Sequence, residues 1–227
     1  MNPLPTPRAV LFDLDGTLAD TAPDLAAAVN KLRTDRGFTP APYEALRPLA
    51  SHGARGLIGA AFGIAPGEPE YEALRLEFLD NYRASIAALS SLFEGVDVLL
   101  MELQAKGIQW GVVTNKAGSL TELLVPEIGL ADAACVISGD TTPHPKPHPA
   151  PLLEAARRIG IGASGCWYVG DDLRDMQAAR SAGMFAVAAA WGYCGESDPT
   201  AWEADHIAES PNDILELIFR AEQRFGN

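Results

Sequence analysis

The chain has 227 residues, of which 48% are hydrophobic and 21% are charged, so it is long enough to bury a sizeable core in one or two domains. Its net charge of −13 argues against a general binder of nucleic acid or of anionic membranes. The three cysteines show no zinc-site spacing, which favours free thiols in a reducing compartment. The N-terminus has no apolar leader and no segment approaches membrane-spanning length, so we expect a cytoplasmic protein.

The first predicted element is a strand over Ala9–Leu14 that ends in two carboxylates. The run RAVLFDLDGTLADT places Asp13 and Asp15 on either side of one leucine. Alternate residues of a strand point the same way, so both side chains should emerge together at its C-terminal end. A buried ionised carboxylate is costly unless something pairs with it. The pair is tolerable if one aspartate binds a metal ion and the other holds a proton.

A helical block of residues 19–90 follows this strand and contains no convincing strand pattern. Its predicted helices are Asp24–Arg36, a piece near Arg55–Phe62, and Tyr71–Ala87. Thr21 is a plausible N-cap of the first of them, because a threonine hydroxyl accepts a hydrogen bond from the first helical turn. We therefore predict a helical domain of residues 19–90, inserted into an α/β domain that consists of residues 1–18 and 91–227.

The remainder of the chain alternates between strands and helices. The predicted strands are Ile108–Thr114, Ala134–Ser138, Cys166–Val169 and Phe185–Ala190. The predicted helices are Val96–Lys106, Pro149–Ile159 and Leu173–Ala182, each followed by a glycine that suits a helix C-terminus. This alternation, with strands that are apolar throughout, favours βαβ units around a parallel sheet covered on both faces. We predict an α/β fold, a three-layer Rossmann-like parallel-sheet core with an inserted α-helical cap domain.

Polar side chains also lie at the ends of two later predicted strands or in the proline-rich loop after Ser138. They are Thr114, Asn115, Lys116, Lys146, Asp171, Asp172 and Asp175. In open parallel sheets the carboxyl ends of the strands form the ligand-binding edge, so we expect these groups to meet Asp13 and Asp15. Clustered carboxylates repel unless a cation lies among them, and oxygen ligands with a phosphate suit Mg²⁺. A hydroxyl and an ammonium suit phosphate oxygens, and the set predicts phosphoryl transfer.

Four segments, DLDGTLADT, VVTNK, HPKPHP and VGDDLRD, resemble in this order the four motifs of the haloacid dehalogenase-like phosphohydrolases. The resemblance covers nearly the whole chain and includes a helical cap inserted after the first motif. It implies a Mg²⁺-dependent phosphatase that forms an aspartyl phosphate. An acid at position 15 favours phosphate esters over halides, because a halide leaves without protonation.

The resemblance also implies roles for the matching positions. Asp13 would be the nucleophile that becomes phosphorylated. Asp15 would protonate the leaving alcohol and then activate water, a contribution of roughly 10²–10⁴-fold in rate. Thr114, with Asn115 beside it, would bind a phosphoryl oxygen. Lys146 would offset charge on the nucleophile and on the phosphate.

Three positions are implied as metal ligands: Asp13, the backbone carbonyl of Asp15, and Asp171. A further acid would lie behind them, and either Asp172 or Asp175 can fill that position. For Asp172 a purely structural role is an equal alternative, since it falls at the start of a helix, where an acid interacts well with the helix dipole.

Substrate choice is expected to depend on the cap. In related caps the stretch equivalent to SHGARGLI reaches over the active site, which makes Ser51, His52, Gly53 and Arg55 candidates for substrate contact. Arg55 is favoured, since a guanidinium binds a substrate carboxylate through two hydrogen bonds.

The resemblance leaves more than one substrate open. The chain is most similar to bacterial phosphoglycolate phosphatases, which predicts 2-phosphoglycolate as the substrate. SHGARGLI and EALRLEFLDNYR also resemble N-acetylmuramic acid 6-phosphate phosphatases of peptidoglycan recycling. A sugar phosphomutase would share the chemistry, and a phospho-accepting signalling module would share the clustered acids but lack the helical insertion. The expected partner is a small phosphorylated metabolite, and nothing in the sequence indicates the oligomeric state.

Overall fold

The computed structural model describes residues 4–194 and 197–223, which contain two sheets. The strands are β1 (Ala9–Phe12), β2 (Ala19–Asp20), β3 (Ser91–Leu92), β4 (Gln109–Val113), β5 (Val136–Ile137), β6 (Cys166–Gly170), β7 (Phe185–Ala189) and β8 (His206–Ala208). Six of them form one sheet in the order β5-β4-β1-β6-β7-β8, and all its pairings are parallel. Because β1 lies between β4 and β6, the residues that follow these three strands are neighbours in space.

Helices cover both faces of this sheet. The helices are α1 (Ala22–Asp35), α2 (Tyr43–Leu46), α3 (Gly53–Phe62), α4 (Tyr71–Ala84), α5 (Val96–Ala105), α6 (Gly118–Glu127), α7 (Ala150–Ile159), α8 (Leu173–Ala182) and α9 (Pro211–Gln223). Val10 and Phe12 of β1 pack in a cluster with apolar residues of α5 and α9, while Ala9 and Leu11 pack in another with residues of α7 and α8. Alternate residues of one strand thus enter cores on opposite sides. The predicted three-layer α/β fold is confirmed.

Helices α1 to α4 form a separate apolar cluster that includes Leu25, Val29, Ile58 and Phe78. The chain enters and leaves this helical segment through β2 and β3, which pair antiparallel. No strand was predicted within residues 19–90, but β2 lies there. A two-residue strand is too short to produce an apolar pattern in the sequence. The division at residues 19–90 stays a prediction.

Several predicted elements differ from the structure at their ends or were missed. The helix expected over Tyr71–Ala87 ends at Ala84. Helix α6 was not predicted, because it begins with glycine and contains Pro126, both of which weaken a helical pattern. Strand β8 and helix α9 were also not predicted. Strand β8 has only three residues, and the sequence around both elements showed no regular pattern. Within the described residues, no helix is both long and apolar enough to cross a membrane.

Candidate active site

The C-terminal ends of β1, β4 and β6 bring most of the predicted site residues together. Asp13 directly follows β1, and its backbone N–H donates to the carbonyl of Val169 across 2.9 Å, which continues the pairing with β6. The chain then turns at Gly16, where φ is +87° and an added Cβ would lie 2.1 Å from Oδ2 of Asp171. Glycine therefore satisfies both the backbone conformation and the close approach to this carboxylate.

Three buried carboxylates form an acid cluster at this edge: Asp13, Asp171 and Asp175. Each offers an oxygen, and the three oxygens lie within 4.8 Å of one another. The Lys146 ammonium lies 2.8 Å from Oδ1 of Asp13 and 2.8 Å from Oδ1 of Asp175. One ammonium cannot balance three carboxylates, so the acid cluster carries excess negative charge whenever all three are ionised.

The pKa values of these groups reflect their burial and mutual repulsion. Burial raises the pKa of Asp13 to about 7, with Lys146 acting in the opposite direction. Burial also raises the pKa of Asp171 well above its usual value, and the charges of Asp13 and Asp175 add to this effect. Burial acts to lower the pKa of Lys146, but the neighbouring carboxylates outweigh it and raise that pKa. Without a cation, the acid cluster therefore favours uptake of a proton.

The acid cluster has the chemistry of a site for a hard divalent cation, since all of its donors are carboxylate oxygens. Oδ1 of Asp13 is buried and, apart from its ion pair with Lys146, accepts no hydrogen bond from the described residues. Asp171 is oriented by the Thr17 hydroxyl, 3.0 Å from Oδ1, and by the Tyr193 N–H, 2.8 Å from Oδ2. A cation here would relieve the excess negative charge, so the residues present fit the metal expected from the sequence.

Asp175, rather than Asp172, joins the acid cluster. Asp172 is the N-cap of α8, because its Oδ1 accepts a 2.8 Å hydrogen bond from the Arg174 N–H. Burial acts to raise the pKa of Asp172, but hydrogen bonds and charge from Arg174 outweigh it and lower that pKa. Asp175 completes the capping box by accepting from the Asp172 N–H, while its Oδ1 faces Lys146. The geometry thus separates two neighbouring acids that the sequence left as alternatives.

Lys146 makes further hydrogen bonds that fix its position beside the acid cluster. Its ammonium also donates to the carbonyl of Val113 at 3.0 Å and to the Tyr168 hydroxyl at 2.8 Å. The Asn115 amide fixes the Lys146 backbone, because it donates to the Lys146 carbonyl and accepts from the Lys146 N–H, both across 2.9 Å. The phosphate contact predicted for Asn115 stays a prediction, since this amide is already engaged. Thr114 is buried and lines the adjacent cavity.

Asp15 has a different set of partners. The Thr21 hydroxyl donates to Oδ1 of Asp15, and the Lys116 ammonium lies 3.1 Å from the same oxygen. Thr21 does occupy the N-cap position of α1, but its hydroxyl makes no capping hydrogen bond there. The predicted cap interaction is absent at this residue because the hydroxyl is used by Asp15.

A cavity of about 310 Å³ lies between the strand ends and the helical segment. Asp13, Asp15, Thr114 and Lys146 all line it. Large apolar side chains also line the cavity and form its apolar wall: Leu25, Phe78, Leu79, Tyr82 and Leu120. The cavity therefore offers a polar floor for a phosphoryl group and an apolar wall for the remainder of a substrate.

Three of the four predicted cap residues line this cavity: Ser51, His52 and Gly53. The Ser51 hydroxyl also donates to Oδ2 of Asp171 across 3.3 Å. Arg55 is exposed and does not line the cavity, whereas Arg75 and Arg174 do. The substrate contact favoured for Arg55 stays a prediction without support from this geometry.

Sequence reasoning missed several residues that hold the site. They are Thr17, Thr21, Tyr82, Tyr168 and Tyr193, whereas Lys116 was expected at this edge without a stated role. Thr17 and Thr21 lie within the first motif, DLDGTLADT, and could have been proposed as partners of its aspartates. The tyrosines carried no such signal, because each reaches the site from a different element.

Comparison with known proteins agrees with this geometry. The sequence model of the haloacid dehalogenase-like hydrolases matches residues 10–189. A phosphoglycolate phosphatase of Xanthomonas campestris pv. campestris (strain 8004) is 48% identical over 212 residues, covering 92% of this chain and 96% of that protein. An N-acetylmuramic acid 6-phosphate phosphatase of Pseudomonas aeruginosa PAO1 is 40% identical over 216 residues, covering 94% and 96%.

A solved structure shares the whole architecture. The crystal structure of a predicted phosphoglycolate phosphatase from Haemophilus somnus 129PT superposes with a TM-score of 0.83 at 28% identity, over 93% of this chain and 98% of that one. The family resemblance read from the four motifs is confirmed by these matches. The chain belongs to the haloacid dehalogenase-like hydrolases.

Proposed function

We propose that this protein is a Mg²⁺-dependent phosphatase that hydrolyses a small phosphomonoester, with 2-phosphoglycolate as its principal substrate. The observation that carries this proposal is the placement of Asp13, Asp15 and Lys146 around one cavity, beside an acid cluster suited to a cation. The name of the 48% identical relative supports the choice of substrate. The buried free thiols of Cys135 and Cys166 support a cytoplasmic location.

Mg²⁺ would be held by Asp13, Asp171 and the backbone carbonyl of Asp15, and it would neutralise charge on the phosphoryl group. Asp175 would act behind these ligands by pairing with Lys146, as their 2.8 Å contact indicates. Lys146 in turn would face both the Asp13 carboxylate and a phosphoryl oxygen. The surplus negative charge of the acid cluster is the physical reason why a cation is needed before an anionic substrate can enter.

The first half of the reaction uses Asp13 and Asp15. A carboxylate oxygen of Asp13 attacks phosphorus, the bond from phosphorus to the ester oxygen breaks, and Asp15 gives its proton to the departing alkoxide. The alcohol leaves with that proton, and Asp13 carries the phosphoryl group as an aspartyl phosphate. Thr114 and Lys146 would bind phosphoryl oxygens during this transfer, which depends mainly on positioning and charge neutralisation.

The second half regenerates the enzyme. Water attacks the phosphorus of the aspartyl phosphate, and the Asp15 carboxylate accepts a proton from that water. The bond between phosphorus and the Asp13 oxygen breaks, and inorganic phosphate departs. Asp15 is protonated and Asp13 is a carboxylate again, so both residues are ready for the next ester.

The direct test is initial-rate phosphate release, with Mg²⁺, from 2-phosphoglycolate and from N-acetylmuramic acid 6-phosphate. We expect a higher kcat/KM for 2-phosphoglycolate, and a loss of at least about 10³-fold in Asp13→Asn, since the nucleophile is removed. Asp132→Asn replaces an exposed aspartate outside the cavity lining, so it is the matched control and should leave the rate unchanged. Failure of both esters, with a panel of other monoesters also uncleaved, would reject the phosphatase.

The amino-sugar acid is the second candidate because of the apolar wall. Five large apolar side chains line the cavity, while the glycolyl group offers a single methylene to them. An N-acetylated sugar with a lactyl group would cover more of this surface, and the 40% identical relative is named for that substrate. A higher kcat/KM for N-acetylmuramic acid 6-phosphate would move the protein to this reaction. A phosphorylated sugar product without free phosphate would indicate a mutase instead, and a stable phosphoprotein without turnover would indicate a signalling module.

A further inference from the structure

Lys116 is a buried cation that the steps above do not use. It lies two residues beyond Thr114, and its backbone N–H donates to the Thr114 hydroxyl across 3.1 Å. Its side chain is only 7% exposed, and its ammonium lies 3.1 Å from Oδ1 of Asp15. The site therefore contains two lysines with different partners, since Lys146 pairs with Asp13 and Asp175.

Tyr82 of α4 holds the other side of the Lys116 ammonium. The Lys116 Nζ donates to the Tyr82 hydroxyl across 3.1 Å, and it lies 4.6 Å from the centre of the Tyr82 ring. Tyr82 is 1% exposed, so this contact is shielded from water. The ammonium thus joins three parts of the molecule: the end of β4, the helical segment and Asp15.

These contacts divide the two oxygens of the Asp15 carboxylate between different tasks. Oδ1 receives both the Thr21 hydroxyl and the Lys116 ammonium. Within residues 4–194 and 197–223, no hydrogen bond is made to Oδ2, although Asp15 lines the cavity. A carboxyl group that is fixed through one oxygen can present the other to a substrate in one orientation only.

We propose that Lys116, itself oriented by Tyr82, is a positioning residue that fixes Asp15 so that Oδ2 exchanges the proton with the leaving oxygen. This inference rests on the proposed phosphatase activity. As the bond from phosphorus to the ester oxygen breaks, the proton on Oδ2 moves to that oxygen and the carboxylate remains paired with Lys116. Loss of Lys116 leaves Asp13, Lys146 and the acid cluster in place. It leaves the Thr21 hydroxyl as the remaining partner of Oδ1, so the Asp15 side chain is held less firmly.

The consequence depends on the leaving group. An alkoxide needs its proton as the ester bond breaks, whereas p-nitrophenolate is stable without one, so only alkyl esters depend strongly on a well-placed acid. The test therefore compares kcat/KM for two esters, since kcat/KM reports on the steps up to formation of the phosphoenzyme. The esters are p-nitrophenyl phosphate and whichever of 2-phosphoglycolate and N-acetylmuramic acid 6-phosphate the unsubstituted enzyme cleaves faster.

Lys116→Met should lower kcat/KM for the alkyl ester about 10–100-fold and for the aryl ester less than about 5-fold. Tyr82→Phe, which removes only the hydroxyl, should shift the ratio in the same direction by about 3–10-fold. Lys106→Met is the matched control, because Lys106 pairs with Glu222 at the surface and should leave both esters unaffected. If Lys116→Met shows no cooperative thermal unfolding, that variant is not folded, and the inference is then tested with Tyr82→Phe alone.

An equal loss on both esters would overturn the inference, since it would assign Lys116 to phosphate binding or to folding. An unchanged ratio in both variants would overturn it as well. Neither result affects the proposed phosphatase activity, which fails only if the unsubstituted enzyme with Mg²⁺ cleaves none of these esters and none of the wider panel of monoesters. The two failures are thus distinguished by the rate of the unsubstituted enzyme.

Discussion

The backbone N–H of Tyr193 donates to Oδ2 of Asp171 across 2.8 Å, so the loop after β7 holds the carboxylate that follows β6. The Tyr193 hydroxyl reaches in the opposite direction, to the Asp20 carboxylate at 2.5 Å, and accepts from the Ala22 N–H. One residue therefore links a candidate metal ligand to the first turn of the helical segment. Asp171 is therefore already oriented before a cation binds, which reduces the entropic cost of cation binding.

Mg²⁺ should stabilise the folded protein through this preorganised site. At a concentration of 100 times its Kd, a ligand that binds only the folded state adds about 2.7 kcal/mol to the free energy of unfolding. We expect Asp171→Asn to lose most of this gain, because a neutral amide is a weaker ligand for a hard cation. Thermal unfolding with and without Mg²⁺ measures it, with Asp132→Asn as control. An undiminished shift in Asp171→Asn would place the cation elsewhere.

The stability of the metal-free protein should depend on pH through Asp13. Burial raises the pKa of this group from 3.8 to about 7. Between these values the folded state binds a proton that the unfolded chain releases, so the free energy of unfolding falls as the pH rises through this window. Asp13→Asn removes this penalty and should be more stable than the unsubstituted protein at pH 8, by about 2 kcal/mol. Lys146 keeps its contact with Asp175 in this variant.

Urea unfolding in EDTA at pH 5 and pH 8 tests this expectation. The stability difference between Asp13→Asn and the unsubstituted protein should be larger at pH 8. Asp132→Asn should show no such dependence. A difference that is the same at both values, or larger at pH 5, would contradict the assignment of the raised pKa to Asp13.

The neighbouring acids Asp172 and Asp175 should respond differently to substitution. Asp172→Ala removes an N-cap and should cost about 1 kcal/mol in stability, with kcat reduced only a few-fold. Asp175→Asn leaves Lys146 with one carboxylate fewer and should lower kcat by about 10²-fold or more. Steady-state kinetics and urea unfolding separate the two effects. Equal kcat losses would show that both acids serve the metal site.

The cavity lining predicts which arginine affects the substrate. Arg75 lines the cavity, although its guanidinium already pairs with Glu72, whereas Arg55 is exposed outside the lining. We expect Arg75→Ala to raise KM about 5–20-fold for an ester that carries a carboxylate, and Arg55→Ala to change it less than about 2-fold. A larger effect of Arg55→Ala would support the contact expected from the sequence and would require the helical segment to move on binding.

Most of the candidate site at the C-terminal ends of β1, β4 and β6 could be predicted, because it depends on local sequence and one topological rule. Asp13 and Asp15 follow a strand within a few residues, and parallel strands place such ends together. The role of Lys116 could not be predicted, because its second partner, Tyr82, lies on a helix of another part of the chain. Arg55 was favoured only because a guanidinium binds a carboxylate well. The sequence did not show which face of α3 is buried; Leu57 and Ile58 are buried, whereas Arg55 is exposed.

The pairing of β2 with β3 has a consequence for how such a protein can change. Ala19 lies opposite Leu92 and Asp20 opposite Ser91, so about seventy residues of helix and loop depart from and return to one point. A segment with adjoining ends can be lengthened, shortened or exchanged without shifting β1 or β4, the strands of the large sheet that precede and follow it in the chain. The apolar wall of the cavity can therefore diversify while the residues that follow β1 and β4 stay fixed, and exchanging this segment between relatives is a way to test whether it sets the specificity.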